Sequence, residues 1–403
     1  MVIHYDVIVV GGSFAGLNFA RCASILGLKV LLIDQNKDIG SSIRTTGILI
    51  KDIVEEMNIP RTLLPNTVNK MKVYFPNMKY LEWKTKENIF FMSYTKDFLK
   101  YLARSAKEFG AIIETDTQYI SGKKTSDVIE VIIKKNSIEE KIRAKFIVGA
   151  DGAHSKVAKD FKLDKNKKFM TGIEKVYEHA KGVSNDEFYC FVDKELAPGY
   201  LCWVTKRGKE TFVGLAGHTK EFDIQHALCE FEKKTAVLFD FKRAKLVQTK
   251  SGMIPINGPL KKIVCDKALL VGDSAGQIGA LTAGGIYPAI KYSKDAANSV
   301  MKYLWLQEKN ALKLYNKRSF HDSYLRTELI LRKAYEMIEN NNDFNNIYKT
   351  FKTKDGKKLM QIFLFEHGDK QHIILSELTE ILKHPKLFKP FGKILIEEFQ
   401  KII

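Results

Sequence analysis

The sequence is poor in cysteine and proline. Its 403 residues include nine prolines and five widely spaced cysteines, Cys22, Cys190, Cys202, Cys229 and Cys265. No two cysteines have the spacing of metal ligands, so we predict no metal site and no disulfide framework. The sparse proline and the 26 glycines also exclude long linkers and fibrous repeats. An odd number of sparse cysteines is typical of reduced, mostly buried thiols in a cytosolic protein.

Long hydrophobic runs are absent as well. No apolar stretch reaches the roughly 18 residues that a membrane span needs. The N-terminal MVIHYDVIVVGG has neither a basic region nor a cleavage site. We therefore expect a cytoplasmic protein, at most peripheral to the inner face of the membrane. An apolar fraction of 45% excludes general disorder, and the length suggests two or three domains.

Acidic residues are outnumbered by basic ones. The chain has 65 Lys and Arg against 47 Asp and Glu, a net charge of +18, and the excess is spread evenly along it. No aromatic–basic motif accompanies this charge, so we predict no nucleic-acid partner. Two explanations stay open at this point: loose docking to an anionic membrane surface, and a generally lysine-rich composition.

The first fifty residues follow the order of a dinucleotide-binding unit. Tyr5–Val10 is a short β-branched run that predicts a buried parallel strand. The Gly-rich turn Gly11–Gly16 comes next, then a helical pattern over Leu17–Leu28 and a second strand over Lys29–Ile33. That strand ends at Asp34, eighteen residues after Gly16. The order strand, glycine turn, helix, strand, acid is the fingerprint of this unit.

Each part of this unit has a physical role. Gly11 permits a tight turn, Gly16 lets the helix approach the strand, and Asp34 is predicted to accept the ribose hydroxyls. Ser13 stands where the second glycine is usual, and its hydroxyl could donate to a phosphate. Asp34 and Gln35 disfavour an adenosine 2′-phosphate and fit FAD or NAD. The predicted dinucleotide contacts here are Gly11, Gly12, Ser13, Ala15, Gly16, Asp34 and Gln35.

Two later segments point to the cofactor. Lys145–Ser155 is a strand that runs into Asp151-Gly152, and Lys267–Tyr292 is a strand, a loop ending in Thr282–Gly285, and a helix. Either acid could simply cap the helix that follows it. Together, and in this order, the segments resemble the FAD-binding set of the para-hydroxybenzoate hydroxylase-like flavoproteins. The residues that the resemblance implies as contacts are Asp151, Gly152, Asp273, Gly284, Gly285 and Ile286.

This resemblance implies a division of labour. The counterpart of Asp273 contacts the ribityl or phosphate part of FAD, and the counterpart of Gly284–Ile286 brings a helix N-terminus beside the flavin pyrimidine. The positive end of a helix dipole stabilises an anionic reduced flavin. No second nucleotide fold is visible, so a nicotinamide cofactor would bind transiently. We predict FAD as the cofactor, with NAD(P)H or ferredoxin as an unassigned external reductant.

Three further segments resemble the geranylgeranyl reductase family, which saturates prenyl chains of archaeal lipids or related isoprenoids. They are Asp38–Leu49 (DIGSSIRTTGIL), Ala197–Ala216 (APGYLCWVTKRGKETFVGLA) and Ser251–Pro259 (SGMIPINGP). Arg44 falls on the family's flavin-contacting arginine, and Trp203 on its motif tryptophan. The cofactor prediction also includes Thr45, Thr46 and Tyr119, and the substrate prediction is Tyr200 and Trp203.

The chain departs from this family in several positions. Thr45 replaces the usual cysteine, and Thr95 replaces an arginine. Tyr200 is displaced by one position, Leu201 occupies the usual tyrosine site, and Thr205-Lys206 replace Phe-Pro. These changes leave FAD binding intact and put the exact substrate in doubt.

The resemblance implies reduction of an isolated C=C bond, which takes a hydride at one carbon and a proton at the other in a dry pocket. Six apolar side chains fall on three predicted antiparallel strands, and the inward members of this set could line such a pocket or simply fill the sheet core: Phe188, Tyr189, Tyr200, Trp203, Phe212 and Leu215. His154 and His218 could donate a proton, but lone histidines seldom do, and no catalytic residue is assigned. Cys202 is predicted to be buried.

These patterns predict an α/β fold: a Rossmann-like FAD-binding domain, an inserted antiparallel-sheet substrate domain and a helical C-terminal region. The FAD domain comprises residues 1–50, 96–161 and 251–303, and the substrate domain comprises 51–95 and 162–250. Residues 304–403 are predicted to be helical, with a break at Asn340–Asn346.

The leading hypothesis is a monomeric FAD-dependent oxidoreductase whose partner is a prenylated lipid or isoprenoid substrate. The alternatives are a flavin monooxygenase or halogenase of the same fold, and a binding protein that keeps FAD as a structural element.

Overall fold

The computed structural model describes residues 5–86, 88, 90–218 and 222–353. In this part the strands are β1 (Tyr5–Val10), β2 (Val30–Ile33), β3 (Ile48–Leu49), β4 (Asn66–Val68), β5 (Lys70–Tyr74), β6 (Tyr80–Lys84), β7 (Phe90–Met92), β8 (Ile112–Glu114), β9 (Thr117–Thr125), β10 (Val128–Lys135), β11 (Ile138–Gly149), β12 (Phe169–Glu178), β13 (Glu187–Phe191), β14 (Cys202–Arg207), β15 (Glu210–His218), β16 (Lys245–Pro255) and β17 (Ala268–Leu270). The helices are α1 (Phe14–Ile25), α2 (Lys51–Glu56), α3 (Thr95–Glu108), α4 (Lys156–Asp160), α5 (Ile224–Thr235), α6 (Ile286–Trp305), α7 (Ala311–Phe320), α8 (Ser323–Glu336) and α9 (Asn341–Phe351). Two short 3₁₀ turns lie at Arg61–Leu63 and Gly272–Ala275.

The chain divides into two units, each built from three segments. Unit 1 comprises Met1–Gly47, Tyr94–Lys168 and Pro255–Leu325. Unit 2 comprises Ile48–Ser93, Phe169–Ile254 and Arg326–Ile403. Helix α7 therefore belongs to unit 1, and α9 belongs to unit 2. The part of the predicted helical region after residue 353 lies outside the described residues.

Unit 1 is organised around a seven-stranded sheet. Its order is β8-β2-β1-β11-β10-β9, with β17 also beside β11. Strands β8, β2, β1, β11 and β17 are parallel, whereas β9 and β10 form antiparallel pairs. Val7, Ile8 and Val9 are fully buried, as expected of a parallel strand covered on both faces. Helix α1 packs against α3 and α6, and the parallel β1–β2 pair predicted from the sequence is confirmed.

Unit 2 contains a second seven-stranded sheet, of order β16-β12-β15-β14-β13-β5-β6. Within this sheet, β12, β15, β14 and β13 pair antiparallel in that order, and β13 and β5 form a parallel pair. Side chains alternate between two apolar clusters, so Tyr189 and Phe191 pack with Phe231 of α5. Phe188 and Cys190 pack in the other cluster, together with Phe344 of α9 and Ile338 just before it. A small three-stranded sheet, β3-β7-β4, completes the unit.

The predicted fold class is confirmed. The structure has a Rossmann-like α/β unit, a second largely antiparallel sheet, and helices α7 to α9 in the described part of the C-terminal region. Within the described residues, none of the helices combines the length and apolarity needed to cross a bilayer.

The predicted helix break at Asn340–Asn346 is wrong, because α9 begins at Asn341. The side chain of Asn340 accepts hydrogen bonds from the backbone N–H groups of Asn342 (2.9 Å) and Asp343 (3.1 Å). Asp343 in turn accepts from the backbone N–H of Glu339 at 3.0 Å. Asparagine is poor inside a helix but caps one well, so the Asn-rich run starts a helix. The break between α8 and α9 is only four residues long, at 337–340.

Two phenylalanines of α3 and its C-terminus allow a matched test of the unit 1 core. Phe98 is fully buried and its ring lies 5.6 Å from that of Phe14, whereas Phe109 is 52% exposed. We expect Phe98→Ala to lower the free energy of unfolding by about 3–5 kcal/mol, because it leaves a cavity in the core. Phe109→Ala should change it by no more than about 0.5 kcal/mol. Urea titration of both variants measures the difference, and equal losses would contradict this description of the core.

Candidate functional site

The glycine turn after β1 is closed by direct backbone contact. Gly11 has φ +110°, and a Cβ added there would lie 2.2 Å from the carbonyl oxygen of Ala150. A Cβ at Gly16 would lie 1.9 Å from the carbonyl oxygen of Gly11. No side chain fits in either position, so the tight turn and the close helix approach predicted from the sequence are confirmed. The turn thereby brings the ends of β1 and β11 and the start of α1 together.

Helix α1 begins with an open N-terminus. Ser13 occupies the cap position in an extended conformation, its side chain makes no cap hydrogen bond, and the first turn has no acidic residue. Ser13 is exposed, whereas Ala15 is buried. Backbone N–H groups and the positive end of the helix dipole favour an anion at such an end. The predicted phosphate contact of Ser13 is compatible with this geometry and stays a prediction.

Asp34 follows β2 and ties the glycine turn to the loop beyond it. Its Oδ2 accepts a hydrogen bond from the Gly12 backbone N–H at 2.6 Å. Its Oδ1 accepts from the backbone N–H and the side-chain amide of Asn36, both at 2.8 Å. The carboxylate is therefore held in one orientation beside the turn. Gln35 next to it is exposed. The proposed ribose contacts of both residues stay predictions.

The residues of the predicted flavin loop lie just before unit 2 begins. Arg44 is exposed, Thr46 is half-buried, and the Thr45 hydroxyl accepts a hydrogen bond from the Gly47 N–H at 3.3 Å. Tyr119 lies elsewhere in unit 1, on β9, where it is buried and donates its hydroxyl to Asp160 at 2.7 Å. Burial and this hydrogen bond raise the pKa of Tyr119. Its hydroxyl thus has an internal partner, and its flavin contact stays a prediction.

Asp151, at the end of β11, has two different oxygen environments. Oδ2 accepts hydrogen bonds from the backbone N–H groups of Lys156 (2.7 Å) and Val157 (3.1 Å), so it caps α4. Oδ1 is buried and has no hydrogen-bond partner within the described part of the chain. Burial is also the main reason that the pKa of Asp151 is raised. A buried carboxylate oxygen without a partner is costly, and a ligand hydroxyl would satisfy it.

Asp273 lies in the 3₁₀ turn after β17. Burial raises its pKa to about 6. A Cβ added at Gly285 would lie 3.4 Å from its Oδ1, so the carboxyl group lies beside the start of α6. In the same turn, Gly272 has φ +71°, and a Cβ there would lie 2.8 Å from the Cβ of Ala15 in α1. The first and last dinucleotide motifs are therefore in contact.

Helix α6 has an N-terminus without a side-chain cap. Its cap residue is Gly285, which has no side chain to make a cap hydrogen bond, and the first turn contains no acidic residue. Ala283 has φ +54°, a strained conformation for a residue other than glycine. Hydrogen bonds from Gly279 N–H to the Gly284 carbonyl (3.1 Å) and from Ala283 N–H to the Gly279 carbonyl (2.9 Å) hold this loop. A 20-residue helix thus ends in a positive dipole beside Asp273.

The two predicted substrate residues are neighbours in unit 2. The rings of Tyr200 and Trp203 are 6.4 Å apart in an edge-to-face arrangement. Tyr200 was predicted on a strand, and this is wrong, because β14 begins at Cys202. Pro198 and Gly199, the latter with φ +80°, form a turn that Tyr200 closes by donating its N–H to the Ala197 carbonyl at 3.0 Å. Such a Pro-Gly pair is typical of a type II turn.

The six apolar side chains considered as a pocket wall do not share one face. Tyr189 and Leu215 belong to the apolar cluster covered by α5, so they are core residues. Phe188 belongs to the opposite cluster, and Trp203 packs against that cluster while staying partly exposed. Phe212 is fully buried. The alternation of the strands therefore separates two groups that a sequence pattern cannot distinguish.

The sequence matches the family described as FAD binding domain over residues 4–232, more than half of the chain. A digeranylgeranylglycerophospholipid reductase of Methanocaldococcus jannaschii is 30% identical over 350 residues, covering 83% of this chain and 87% of that protein. The chain belongs to the geranylgeranyl reductase family of FAD-dependent oxidoreductases.

Solved structures agree with this family's fold. A geranylgeranyl bacteriochlorophyll reductase-like protein of Thermoplasma acidophilum superposes with a TM-score of 0.81 at 21% identity, covering 99% of both chains. A p-nitrophenol 4-monooxygenase of Pseudomonas putida shares the fold more distantly, with a TM-score of 0.70 at 12% identity over 90% of this chain and 98% of that chain. Both similarities concern the fold alone.

The unit 1 residues fit the FAD that this reductase family uses. The glycine turn leaves room for a close backbone approach, and Asp151 presents an oxygen that has no hydrogen-bond partner among the described residues. The N-termini of α1 and α6 are both open to an anion. A Cβ added at Gly152, which has φ +79°, would meet no atom within 4 Å, so the chain leaves open space beside Asp151.

Sequence reasoning missed the residues that connect the loops of Asp151 and Asp273, two of the predicted cofactor contacts. Asn166 is buried, and its side-chain amide donates to the carbonyl oxygens of Ala153 (3.1 Å) and Asp273 (2.7 Å). Gln277 accepts from the Gly272 N–H at 2.7 Å and donates to the hydroxyl groups of Tyr315 and Ser319. Gln277 could have been noticed within the Gly272–Ile286 segment. Nothing in the sequence marks Asn166, because its partners are backbone groups of distant loops.

The histidines and Cys202 have clear positions. His154 is exposed, and the His218 Nε2 lies 3.9 Å from a Glu336 carboxylate oxygen and 3.4 Å from an Arg332 guanidinium nitrogen. Cys202 is fully buried, which confirms the prediction, and burial raises the pKa of its thiol. Across the described residues, no group of three His, Cys, Asp or Glu side chains is positioned to hold a metal ion.

The glycine turn can be tested with two glycines that both have positive φ. Gly11→Ala adds a methyl group that clashes with the Ala150 carbonyl, whereas a Cβ at Gly110 (φ +95°) would meet nothing within 4 Å. We expect the Gly11→Ala variant to lose its bound FAD during purification, and the absorbance at 450 nm measures how much FAD remains. Gly110→Ala should keep its flavin, although both variants carry about 1–2 kcal/mol of backbone strain. Equal retention in the two variants would contradict a steric role for the turn.

The raised pKa of Asp273 predicts a pH dependence of stability in the flavin-free protein. The folded carboxyl group titrates at about 6 and the unfolded one near its ordinary value of about 4, so the folded state binds more protons in between. Stability contributed by this group should fall as the pH rises from about 4 to about 6 and stay constant above that. Asp273→Asn should therefore gain stability over the wild type as the pH rises.

Thermal unfolding of both proteins between pH 4 and pH 7 measures this difference. The exposed Asp97→Asn variant of α3 is the control for removal of a carboxylate. Parallel pH profiles for Asp273→Asn and the wild type would show that Asp273 is not held in an environment that disfavours its charge.

Proposed function

We propose that this protein saturates C=C bonds in geranylgeranyl or related prenyl chains of a lipid or isoprenoid, by hydride transfer from reduced FAD. The observation that carries the proposal is the family relationship, which extends over 83% of the chain and therefore reaches into both units. It is supported by the unit 1 motifs, whose geometry suits a dinucleotide, and by the pair of aromatic rings in unit 2.

FAD, when bound, supplies the hydride for this reaction. In our proposal Gly11–Gly16 and the α1 N-terminus bind its pyrophosphate, and Asp34 binds a ribose. Asp151 and Asp273 accept hydrogen bonds from its hydroxyl groups, and Arg44 contacts it from the loop before unit 2. The uncapped N-terminus of α6 stabilises negative charge that develops beside it.

The substrate side of the proposal rests on Trp203 and Tyr200. The Trp203 indole Nε1 donates to the Glu174 Oε2 at 2.8 Å, so the polar atom of this side chain is satisfied within the protein. The carbonyl oxygen of Tyr200 accepts a hydrogen bond from the Tyr335 hydroxyl. A prenyl chain offers no hydrogen bonds, and a wall with satisfied polar atoms is suited to contact it.

The remaining components follow from the substrate class. We propose that the electrons come from NAD(P)H or ferredoxin, and that the protein acts as a cytoplasmic monomer. A lipid substrate and the net charge of +18 together favour loose docking on the anionic inner face of the membrane.

The test is anaerobic incubation of the FAD-loaded protein with dithionite and a digeranylgeranylated glycerolipid, followed by mass spectrometry. We expect a gain of two hydrogens for each double bond that is reduced, and no gain with Gly11→Ala. The absence of a mass shift across lipid, chlorophyll-type and quinone substrates would overturn the proposal. An oxygenated product formed with NAD(P)H in air would instead favour the monooxygenase alternative.

A further inference from the structure

Four residues form a row across neighbouring strands of the unit 2 sheet. Trp203 of β14 pairs in register with Gly214 of β15, and Gly214 pairs with Glu174 of β12. Lys250 lies on β16, the strand next to β12. Residues paired in register point to the same face of a sheet, so this row is a continuous strip on the face of Trp203.

The absence of a side chain at Gly214 lets the indole lie over β15. A Cβ added there would lie 2.4 Å from the Cζ2 and 2.5 Å from the Cε2 of Trp203. Across this gap the indole reaches Glu174, to which it donates its Nε1 hydrogen at 2.8 Å. Any residue other than glycine at 214 would move the ring. The plane of Trp203 therefore depends on a position eleven residues away in the chain.

Glu174 is itself fixed by a buried ion pair. Its second oxygen, Oε1, lies 2.7 Å from the Lys250 Nζ, and the two side chains are only 7% and 6% exposed. The Lys250 ammonium also lies 4.9 Å from the centre of the Phe212 ring. Because one carboxylate oxygen binds Lys250 and the other binds the indole, rotation of the carboxylate would break one of the two contacts.

The energetics indicate a role in orientation. Burying two charges costs desolvation free energy that their attraction only partly offsets, and two apolar residues often stabilise a fold as well or better. Trp203 is the one partly exposed member of the row, since Glu174, Lys250 and the neighbouring Phe212 are all buried. What the ion pair adds is a single direction for the indole.

We propose that Glu174, held by Lys250, is a positioning residue that sets the plane of Trp203, and that Gly214 provides the space for it. The oriented indole determines how a prenyl chain lies against the sheet, and therefore which of its double bonds are reduced. The second statement rests on the function proposed above, whereas the first concerns the protein alone.

The orientation is tested by fluorine NMR on the FAD-loaded protein labelled with 5-fluorotryptophan. The chain has three tryptophans, Trp83, Trp203 and Trp305, and the Trp203 signal is assigned by its loss in Trp203→Phe. We expect the double variant Glu174→Leu/Lys250→Leu, which removes both charges of the pair, to shift and broaden this signal alone. Gly214→Ala should shift it as well, and it decides the question if the double variant does not fold.

A matched control is Glu187→Gln. Glu187 is a buried sheet carboxylate that pairs with Lys70 and Lys72, on the face of the sheet opposite to that of Trp203. It should leave the Trp203 signal unchanged. An unchanged signal in Gly214→Ala and in the folded double variant would overturn the positioning role.

The consequence for the substrate is measured with the prenylated glycerolipid. In the double variant we expect the KM to rise about 10-fold while kcat changes by less than about 3-fold, with partly reduced chains accumulating. In a Trp203→Phe background the same substitutions should have no further effect. A shifted Trp203 signal with an unaltered KM and product pattern would overturn the specificity role. If the wild type reduces no prenyl substrate, the proposed function fails, and the NMR result still decides the positioning role.

Discussion

The contact of Gly16 and Ala150 with Gly11 is the constraint on which the candidate flavin site depends. A side chain at Gly11 or Gly16 would lie about 2 Å from a carbonyl oxygen, so the ends of β1 and β11 and the start of α1 can meet only without one. This meeting brings Asp34, Asp151 and the α1 N-terminus to one edge of the unit 1 sheet. Gly272 extends the same principle, because its turn touches Ala15 of α1. Parallel strands place their carboxyl ends at a common edge, and there ligands of open α/β sheets bind.

The polar groups around this edge are of two kinds. Asp34 and one oxygen of Asp151 are committed to backbone N–H groups, and they hold the loops in shape. The other oxygen of Asp151 has no hydrogen-bond partner among the described residues. The first turn of α6 likewise has no side-chain cap. Buried polar atoms are normally satisfied, so this residual capacity makes the second oxygen of Asp151 and the start of α6 available to a ligand. The amide nitrogen of Asn166 belongs to the first kind, since it joins the loops of Asp151 and Asp273, whereas the buried Oδ1 of Asn166 has no hydrogen-bond partner among the described residues.

In unit 2 a large apolar side chain, Trp203, stays partly exposed and is held in place by polar contacts. Its sheet is covered on one face by α5, and the aromatic residues of that face are ordinary core. On the other face Trp203 stays partly exposed, and its only polar atom is bound to a buried carboxylate. The ring lies directly over Gly214, and its hydrogen bond to Glu174 restricts its rotation. Glu174 and Lys250 thus keep the exposed part of the Trp203 ring in one orientation.

The sequence by itself determined the fold class, the glycine turn, the burial of Cys202 and the family, because each depends on residues close together in the chain or on a recurring motif. Local patterns misled at Asn340–Asn346, where cap preference outweighed poor helix propensity, and at Tyr200, where Pro198-Gly199 made a turn. Only the tertiary structure decided that Asn166 joins two loops, that Tyr119 binds Asp160, and that Trp203 lies over Gly214 toward Glu174. These contacts join residues between 11 and 107 positions apart, and the pairing of strands and loops that creates them leaves no periodic signal in the chain.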